Sequence, residues 1–281
     1  MKILLTGASS GVGLKLSEKL IGNIENFSQI FLLCNPNSKF DEANFIKHEK
    51  IKLIRQNLLE PHSNELKLIL NEIDFLVHYA WIRPKNPANS ITHNTKIIKN
   101  IFVNLNKKVK IIFLSSVAGI PESISHYGKS KYQISKLLHN SFETKILISG
   151  LIVSENKDTW FDKMKKVLEK IPILIKFGER FKVLHTSTDQ VVNITYDNIF
   201  HFEKGIFKLY EDENISLDNF IKKNSTLNKN FHINISMLLR FFLFVARYIN
   251  YIPVINRISD KLITVFTNDK LKADEFIKKG F

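Results

Sequence analysis

Cysteine is almost absent from this sequence, since Cys34 is the only one in 281 residues. A single cysteine excludes an intramolecular disulfide and is typical of a reducing compartment, so we expect a cytoplasmic protein. The nine histidines show no metal-ligand spacing, which predicts that no metal is bound. Met1 and Lys2 lead directly into an apolar run that we expect to be the first strand, so we expect no secretion signal.

Acidic residues are scarce, with 27 of them against 41 lysines and arginines, and the net charge is +14. This excess favours phosphate-bearing ligands or anionic lipid head groups. The lysines are scattered and form no stripe with interleaved aromatic residues, which argues against nucleic-acid binding. The length and the hydrophobic content of 44% allow one large α/β domain with a smaller lobe.

No uninterrupted apolar run is long enough to cross a bilayer. The most apolar region, residues 233–266, is interrupted by Arg240, Arg247 and Arg257 and broken by Pro253. Two hypotheses fit this pattern. It forms either an in-plane helix that touches the inner face of the membrane, with its arginines at the lipid head groups, or the core and lid of a substrate lobe.

Glycine is also sparse, with ten in all, yet three of them follow the first apolar run closely. Residues 2–6 predict a strand, Gly7, Gly11 and Gly13 a turn, and the apolar periodicity from Leu14 a helix. This is the context of a dinucleotide-binding loop, where a helix N-terminus offers N–H groups and positive dipole to a pyrophosphate. Gly7 permits the tight turn, Gly11 lets the backbone approach phosphate, and Gly13 lets helix and strand pack closely.

Tyr127 and Lys131 are four residues apart in a predicted helix, so their side chains lie on one face. A phenol has a reference pKa of about 10, and a neighbouring cation brings such a group closer to the working range of an acid–base catalyst. The preceding segment 109–116 predicts a buried strand that ends in two hydroxyls, Ser115 and Ser116. We favour Ser116 as the donor to a substrate oxygen, with Ser115 as the alternative.

With both motifs in view, the chain resembles the short-chain dehydrogenase/reductase superfamily, in particular the extended branch of epimerase/dehydratase-like proteins that modify sugar nucleotides. The resemblance covers nearly the whole chain and implies an α/β fold, a Rossmann-type doubly wound parallel sheet with a small C-terminal substrate lobe. It implies that residues 1–153 form the NAD(P)-binding domain, that 181–200 returns to it, and that 154–281 mainly forms the lobe. Residues 146–153 resemble the sixth strand, whose end borders the nicotinamide.

The same resemblance implies roles for the site residues. Tyr127 is implied as the proton-exchanging group, Lys131 as its cationic partner and ligand of the nicotinamide ribose, Ser116 as the hydrogen-bond donor to the reacting oxygen, and Asn94 as a support of the active site. The cofactor-binding residues implied besides Tyr127 and Lys131 are Thr6, Gly7, Ser9, Ser10, Gly11, Val12, Gly13, Asn35, Asn57, Leu58, His78, Ala80 and Gly150.

The choice between NAD and NADP stays open. The second strand ends in the neutral Asn35, where an acid would bind the ribose 2′-hydroxyl of NAD. Lys39, a few positions on, is suited to the 2′-phosphate of NADP, but an asparagine also binds a diol.

The resemblance implies hydride transfer on a sugar linked to a nucleotide or a lipid carrier, as 4-epimerisation or keto-sugar reduction in surface polysaccharide synthesis. Val117 and Ala118 stand where dehydratase members carry an Asp–Glu pair, which argues against dehydration. Two alternatives remain: a carbonyl reductase or dehydrogenase of a non-sugar substrate, and a non-catalytic dinucleotide-binding scaffold. The helices that carry Asn94 and Tyr127 often form a dimer interface in the family, which implies a homodimer.

Overall fold

A computed structural model describes part of the chain. The described residues are 1–38, 40, 48–154, 170, 174–178, 182–211, 215–223, 232–234, 237, 260–261, 263–264 and 270–281.

Strands and helices alternate through most of this part of the chain. The strands are β1 (Lys2–Thr6), β2 (Gln29–Cys34), β3 (Ile51–Arg55), β4 (Phe75–His78), β5 (Lys110–Ser116), β6 (Glu143–Ser149), β7 (Leu151–Val153), β8 (Leu174–Lys176), β9 (Lys182–Val183), β10 (His185–Ser187), β11 (Gly205–Lys208), β12 (Ile215–Ser216) and β13 (His232–Asn234). The α-helices are α1 (Gly11–Ile21), α2 (Asn64–Glu72), α3 (Ser90–Asn104), α4 (His126–Ser141), α5 (Thr188–Phe200), α6 (Leu217–Lys223) and α7 (Lys270–Lys279), with 3₁₀ turns at Ile24–Asn26 and Pro87–Asn89.

Seven of the strands form one parallel sheet in the order β11–β6–β5–β4–β1–β2–β3. The chain winds outward from β1 to β3, returns to β4 on the other side of β1, and continues outward to β11. The direction therefore reverses between β1 and β4, and in such sheets ligands bind outside the carboxyl ends of the strands at this switch point. The predicted doubly wound parallel sheet is confirmed.

Both faces of the sheet are covered by helices, which explains why its strands are apolar at consecutive positions. In β1, Leu4 belongs to the core layer under α2, α3 and α4, whereas Ile3 and Leu5 belong to the layer under α1 and α5. All three side chains are fully buried. The sheet is thus a rigid support for the loops at its edge.

Serine side chains begin four of the helices. The hydroxyl oxygen of each accepts a backbone N–H of the first turn, which satisfies a donor that has no partner inside the helix. The capping serines are Ser10 for α1, Ser63 for α2, Ser125 for α4 and Ser187 for α5. Ser10 lies within the glycine-rich loop, and Ser125 lies two residues before Tyr127.

The predicted sixth strand differs from the observed one. The observed strand β6 begins at Glu143 and ends at Ser149. Residues 151–153 form the separate strand β7, which pairs with β10. The break occurs at Gly150, whose backbone lies so close to the chain at Leu184 that an added Cβ would stand 2.4 Å from the Leu184 carbonyl oxygen. This close approach directs the chain from one sheet to the next.

Residues 205–208 lie within the predicted lobe yet extend the main sheet as its edge strand β11, where they pair with the otherwise open side of β6. Helix α5, within the segment predicted to return to the first domain, packs on α1, and Lys15 and Asp189 join the two helices at 2.8 Å. The division of the chain near residue 153 stays a prediction.

Most of residues 154–180 and 233–266, together with Lys39, lie outside the described residues. The two hypotheses for 233–266 therefore both remain predictions. Within the described part of the chain, no helix combines the length and apolarity that crossing a bilayer requires.

Candidate active site

The glycine-rich loop joins β1 to α1 at the switch point, and two of its glycines have no space for a side chain. Gly7 has a φ of +75°, and a Cβ there would lie 2.7 Å from the backbone nitrogen of Ala80. A Cβ on Gly13 would lie 2.1 Å from the carbonyl oxygen of Gly7. The loop can therefore lie against the end of β4 and the start of α1 only if both positions are glycine.

The N-terminus of α1 offers free donors beside this loop. The N–H groups of Gly13 and Leu14 are bonded to the side chain and carbonyl of Ser10, at 3.2 and 2.6 Å. Among the described residues, no acceptor pairs with the N–H groups of Gly11 and Val12. Two unpaired amides at the positive end of a helix are suited to an anionic group such as a pyrophosphate.

The side of the loop next to β2 is tied down by hydrogen bonds. Gly7 and Ala8 donate their N–H groups to the carbonyl of Leu33 at 3.0 and 3.3 Å. The predicted contact Ser9 is hydrogen-bonded to Cys34, the buried cysteine, whose thiol pKa is raised by burial. Cys34 is thus a packed strand residue, as its apolar surroundings in the sequence predict.

Asn35 follows β2 and is exposed, and its side-chain oxygen accepts the N–H of Asn37 at 3.0 Å. Arg55, at the end of β3, donates to the carbonyls of Pro36 and Ser38 at 3.3 and 3.2 Å and so supports the loop after β2. Sequence reasoning missed Arg55. In the parallel pairing of β2 and β3, Arg55 lies opposite Cys34. Its position at the end of a strand was the feature of the sequence that could have identified it.

Asn57 and Leu58, predicted as cofactor contacts, follow β3 at the same edge. The amide of Asn57 is engaged in its own turn, where it donates to Glu60 at 2.7 Å and accepts the N–H of Leu59 at 3.1 Å. Leu58 is buried in the core. Their contact with a cofactor stays a prediction.

Thr6 and His78 join the ends of β1 and β4 where the sheet changes direction. The Thr6 hydroxyl and the His78 Nδ1 share a buried hydrogen bond of 2.8 Å, and the Ala80 N–H donates to the same hydroxyl at 3.3 Å. Burial, assisted by the positive charge of Lys131, lowers the pKa of His78 to about 3. His78 is therefore neutral at physiological pH and holds the two strand ends together.

Tyr127, Lys131 and Ser116 are brought to this same edge by β5 and α4. Tyr127 is half-buried in the first turn of α4, and the Lys131 Nζ lies 6.0 Å from the centre of its ring. Ser116 ends β5, and its Oγ accepts the N–H of Ala118 at 3.3 Å. The hydroxyl of Ser115 instead faces α4 and accepts from Ser135 at 3.0 Å, which favours Ser116 as the substrate donor.

Asn94 fixes the segment that follows β4. Its buried side chain donates to the carbonyls of Ile82 and Ser90 at 2.9 and 2.8 Å and accepts the N–H of Ile82 at 3.0 Å. The side chain thus acts on the backbone of the segment after β4, and its supporting role in catalysis stays a prediction.

Two residues of that segment, Trp81 and Arg83, enclose the Tyr–Lys pair. The Lys131 Nζ lies 3.9 Å from the centre of the Trp81 ring, and Trp81 stands edge-on to Tyr127 at 5.9 Å. The Arg83 guanidinium lies 4.8 Å from the centre of the Tyr127 ring. Sequence reasoning missed both residues, although their place just after a strand at the switch point was an available signal.

The buried environment changes the charge balance around Tyr127. Burial, and then the charge of Arg83, hold the pKa of Lys131 well below its usual range. Its Nζ donates to the carbonyl of Leu114 at 2.6 Å and stacks on Trp81, which partly offsets the loss of water. Because a guanidinium stays protonated at all working pH values, Arg83 supplies the permanent positive charge at the phenol ring.

A carboxylate from the distant C-terminal part of the chain completes the surroundings. Asp260 is buried, and its two oxygens accept the backbone N–H groups of His126 and Tyr127 at 2.6 and 3.4 Å. Burial is the main influence on Asp260 and raises its pKa. No motif pointed to this residue.

Gly150, the remaining predicted cofactor contact, lies after β6. Its N–H donates to the Thr186 hydroxyl at 2.9 Å, which links the end of the main sheet to β10. The described residues contain no group of three or more metal-ligating side chains that could hold a metal.

Comparisons with known proteins give similarity at the level of structure. No protein-family model and no curated protein matches the sequence. UDP-glucuronic acid 4-epimerase from Bacillus cereus, solved in complex with NAD, superimposes with a TM-score of 0.65 at 20% identity, over 83% of this chain and 87% of that chain. UDP-glucose 4-epimerase from Thermotoga maritima gives 0.62 at 17% identity, over 83% and 86%. A nucleoside-diphosphate-sugar epimerase from Staphylococcus aureus gives 0.68 at 12% identity, over 99% and 96%.

The chain has the fold of the sugar-nucleotide epimerases. The resemblance to the extended short-chain dehydrogenases/reductases is thereby confirmed for the fold. Because the identities are low, the roles of the individual residues rest on their own geometry.

Proposed function

We propose that this protein is an NAD(P)-dependent enzyme of the short-chain dehydrogenase/reductase type that acts on a nucleotide- or carrier-linked sugar, as a 4-epimerase or keto-sugar reductase. The observation that carries this proposal is the meeting of two motifs at one edge of the sheet. The glycine-rich loop after β1 and the group of Tyr127, Lys131 and Ser116 both lie at the carboxyl ends of the parallel strands.

A dinucleotide fits the residues of this edge. The unpaired N–H groups of Gly11 and Val12 would hold its pyrophosphate, the loop at Asn35 its adenosine ribose, and Lys131 with Tyr127 its nicotinamide ribose. Bound there, the nicotinamide would supply the hydride acceptor and donor that the reaction needs. The neutral end of β2 and the nearby Arg55 are compatible with both NAD and NADP.

Tyr127 exchanges the proton with the hydroxyl or carbonyl oxygen of the substrate in this proposal. The Arg83 guanidinium over the ring places a positive charge beside the phenol, and the Lys131 Nζ lies one helical turn away. Ser116 donates a hydrogen bond to the reacting oxygen. Trp81 contacts both Lys131 and the ring of Tyr127, which limits the positions that the phenol can take.

The sugar substrate is supported by the structural neighbours, which are epimerases of UDP-sugars. A role in surface polysaccharide synthesis and a homodimer through α3 and α4 belong to the same proposal, and 233–266 either forms the core and lid of the substrate lobe or touches the membrane. A carbonyl reductase of a non-sugar substrate would use the same side chains, so substrate turnover has to separate the two.

The test compares two tyrosines of α4. Tyr127→Phe should lose turnover of UDP-sugars by about a hundredfold or more, as expected for a proton-transfer group, while dinucleotide binding measured by calorimetry persists. Tyr132→Phe is the matched control, because Tyr132 packs against Phe276 and Phe281 away from the loop. Mass spectrometry of the dinucleotide that co-purifies would add the reaction type, since tightly held NAD⁺ favours an epimerase and an empty protein that binds NADPH favours a reductase.

Unchanged turnover in Tyr127→Phe would contradict the assigned role. Reduction of simple ketones without action on any UDP-sugar would favour the carbonyl reductase, and neither activity with intact dinucleotide binding would favour the scaffold.

A further inference from the structure

The N-terminus of α4 is held by two side chains of different origin. Ser125 is the local cap, and its hydroxyl accepts the N–H of Gly128 at 3.0 Å. Asp260 accepts the N–H groups of His126 and Tyr127, from a position 134 and 133 residues further along the chain. The first three N–H groups of this helix are therefore all bonded, two of them by one carboxylate.

Asp260 is well placed for this task. Its side chain is 8% exposed, its backbone is helical, and its own carbonyl accepts the Thr264 hydroxyl at 2.6 Å. A negative charge at the N-terminus of a helix interacts favourably with the helix dipole. The charges of Arg83 and of His126, when protonated, also favour the ionised carboxylate and oppose the effect of burial.

Both the backbone and the ring of Tyr127 are therefore held by contacts. Asp260 bonds to its backbone, while Arg83 and Trp81 contact its ring. The first turn is the part of a helix that most readily frays, and its N–H groups have no partner within the helix. Without Asp260, the N–H groups of His126 and Tyr127 would have only water as a partner, while the N–H of Gly128 would still be bonded to Ser125.

We propose that Asp260 is a positioning residue for Tyr127, by which the C-terminal part of the chain sets the place of the phenol in the active site. The inference rests on the proposed role of Tyr127. A displacement of about 1 Å of a catalytic group can cost about a hundredfold in rate. The contact of Asp260 with the first turn of α4 is then a condition for turnover, beyond its contribution to stability.

The experiment compares Asp260→Ala, Asp260→Asn and Ser125→Ala. We expect kcat of Asp260→Ala for a UDP-sugar to fall by about tenfold to a hundredfold, with dinucleotide Kd within about threefold of wild type. Asp260→Asn should recover only part of this loss, because its single amide oxygen can accept one of the two N–H groups and its NH2 can accept neither. Ser125→Ala removes a cap of the same helix and should lower thermal stability to a similar degree while kcat is largely kept.

A second measurement needs no turnover. Amide hydrogen exchange followed by NMR should show protection at His126 and Tyr127 in wild type, its loss in Asp260→Ala, and its retention in Ser125→Ala. If no UDP-sugar is turned over by wild type, the proposed function fails, while this exchange pattern still decides whether Asp260 holds the helix.

Two outcomes would overturn the inference. One is unprotected amides at His126 and Tyr127 in wild type, which would mean that the contact does not form. The other is equal loss of kcat in Asp260→Ala and Ser125→Ala at matched stability, which would reduce Asp260 to a structural cap.

Discussion

Replacing His78 should remove a pH-dependence of stability that the wild-type protein shows between pH 7 and pH 5. The imidazole is 2% exposed, shares its Nδ1 with Thr6, and stacks on Phe113 with ring centres 5.9 Å apart. Burial and the charge of Lys131 lower its pKa from 6.5 to about 3. In the unfolded chain, a histidine regains the ordinary pKa of about 6.5.

The sign follows from proton linkage. Below the unfolded pKa the unfolded chain binds a proton that the folded protein excludes, so the stability contribution of neutral His78 is complete above about pH 6.5 and is lost as the pH falls towards 3. Within that window the free energy of unfolding falls by about 1.4 kcal/mol for each pH unit of acidification, and the total loss between pH 7 and pH 5 is about 2 kcal/mol.

The assay is urea unfolding of wild type and His78→Asn at pH 7, 6 and 5. Asparagine keeps a polar atom near the Thr6 hydroxyl but does not titrate, so the variant is less stable throughout yet loses about 2 kcal/mol less on acidification. Burial also lowers the pKa of His62 and of His139, which makes the difference between the two proteins the meaningful quantity. His201→Asn, at an exposed position after α5, is the matched replacement and should keep the wild-type slope.

Equal acid destabilisation of wild type and His78→Asn would refute the reasoning. It would mean that the folded protein admits the proton at His78, and that the end of β4 is more accessible to water than its packing indicates.

Three further predictions concern the loop and the buried side chains. Gly13→Ala should weaken dinucleotide binding by more than tenfold in calorimetry, because its Cβ would stand 2.1 Å from the Gly7 carbonyl oxygen. Gly22→Ala, at the other end of α1, should bind the dinucleotide normally, because the atom nearest to its Cβ is 3.4 Å away. Equal binding by the two variants would contradict the steric argument. Lys131→Met should abolish turnover but change the free energy of unfolding by less than about 2 kcal/mol, since the lost hydrogen bond is offset by removal of a buried amine. A larger loss of stability in urea unfolding would show that Lys131 stabilises the fold. Cys34 is buried, and burial raises the pKa of its thiol. An aromatic disulfide reagent should therefore label Cys34 only at the rate of unfolding. Rapid labelling of the native protein would contradict the burial of the thiol.

Local signals in the sequence were sufficient for strands β1 and β5 and for the two motifs, whereas the doubly wound sheet was implied by the family resemblance. The apolar segment 109–116 predicts the strand that the structure places at Lys110–Ser116, and the run before Gly7 predicts β1. Such segments are predictable because a strand buried on both faces must be apolar at nearly every position. The spacing of Tyr127 and Lys131 predicts one helix face because the helical repeat is fixed by backbone geometry.

The end of the sixth strand shows where local signals fail. Residues 146–153 are apolar apart from Ser149 and Gly150, and a serine–glycine pair inside an apolar run does not distinguish a strand end from a bulge. The boundary is set by the approach of Leu184 to Gly150, a contact with a segment more than thirty residues away. Periodicity describes what a segment buries but not which partner it meets.

The amino-acid sequence by itself determined the first strand, the glycine turn and the Tyr–Lys pair, because each depends on neighbours within a few residues. The tertiary structure alone decided the surroundings of Tyr127: Trp81 and Arg83 arrive from the end of β4, and Asp260 arrives from 133 residues further along the chain. These side chains form no pattern in the sequence, since what brings them together is the order of strands in the sheet and the packing of the C-terminal part on α4. The surroundings of the phenol ring and of its backbone depend on those three contacts.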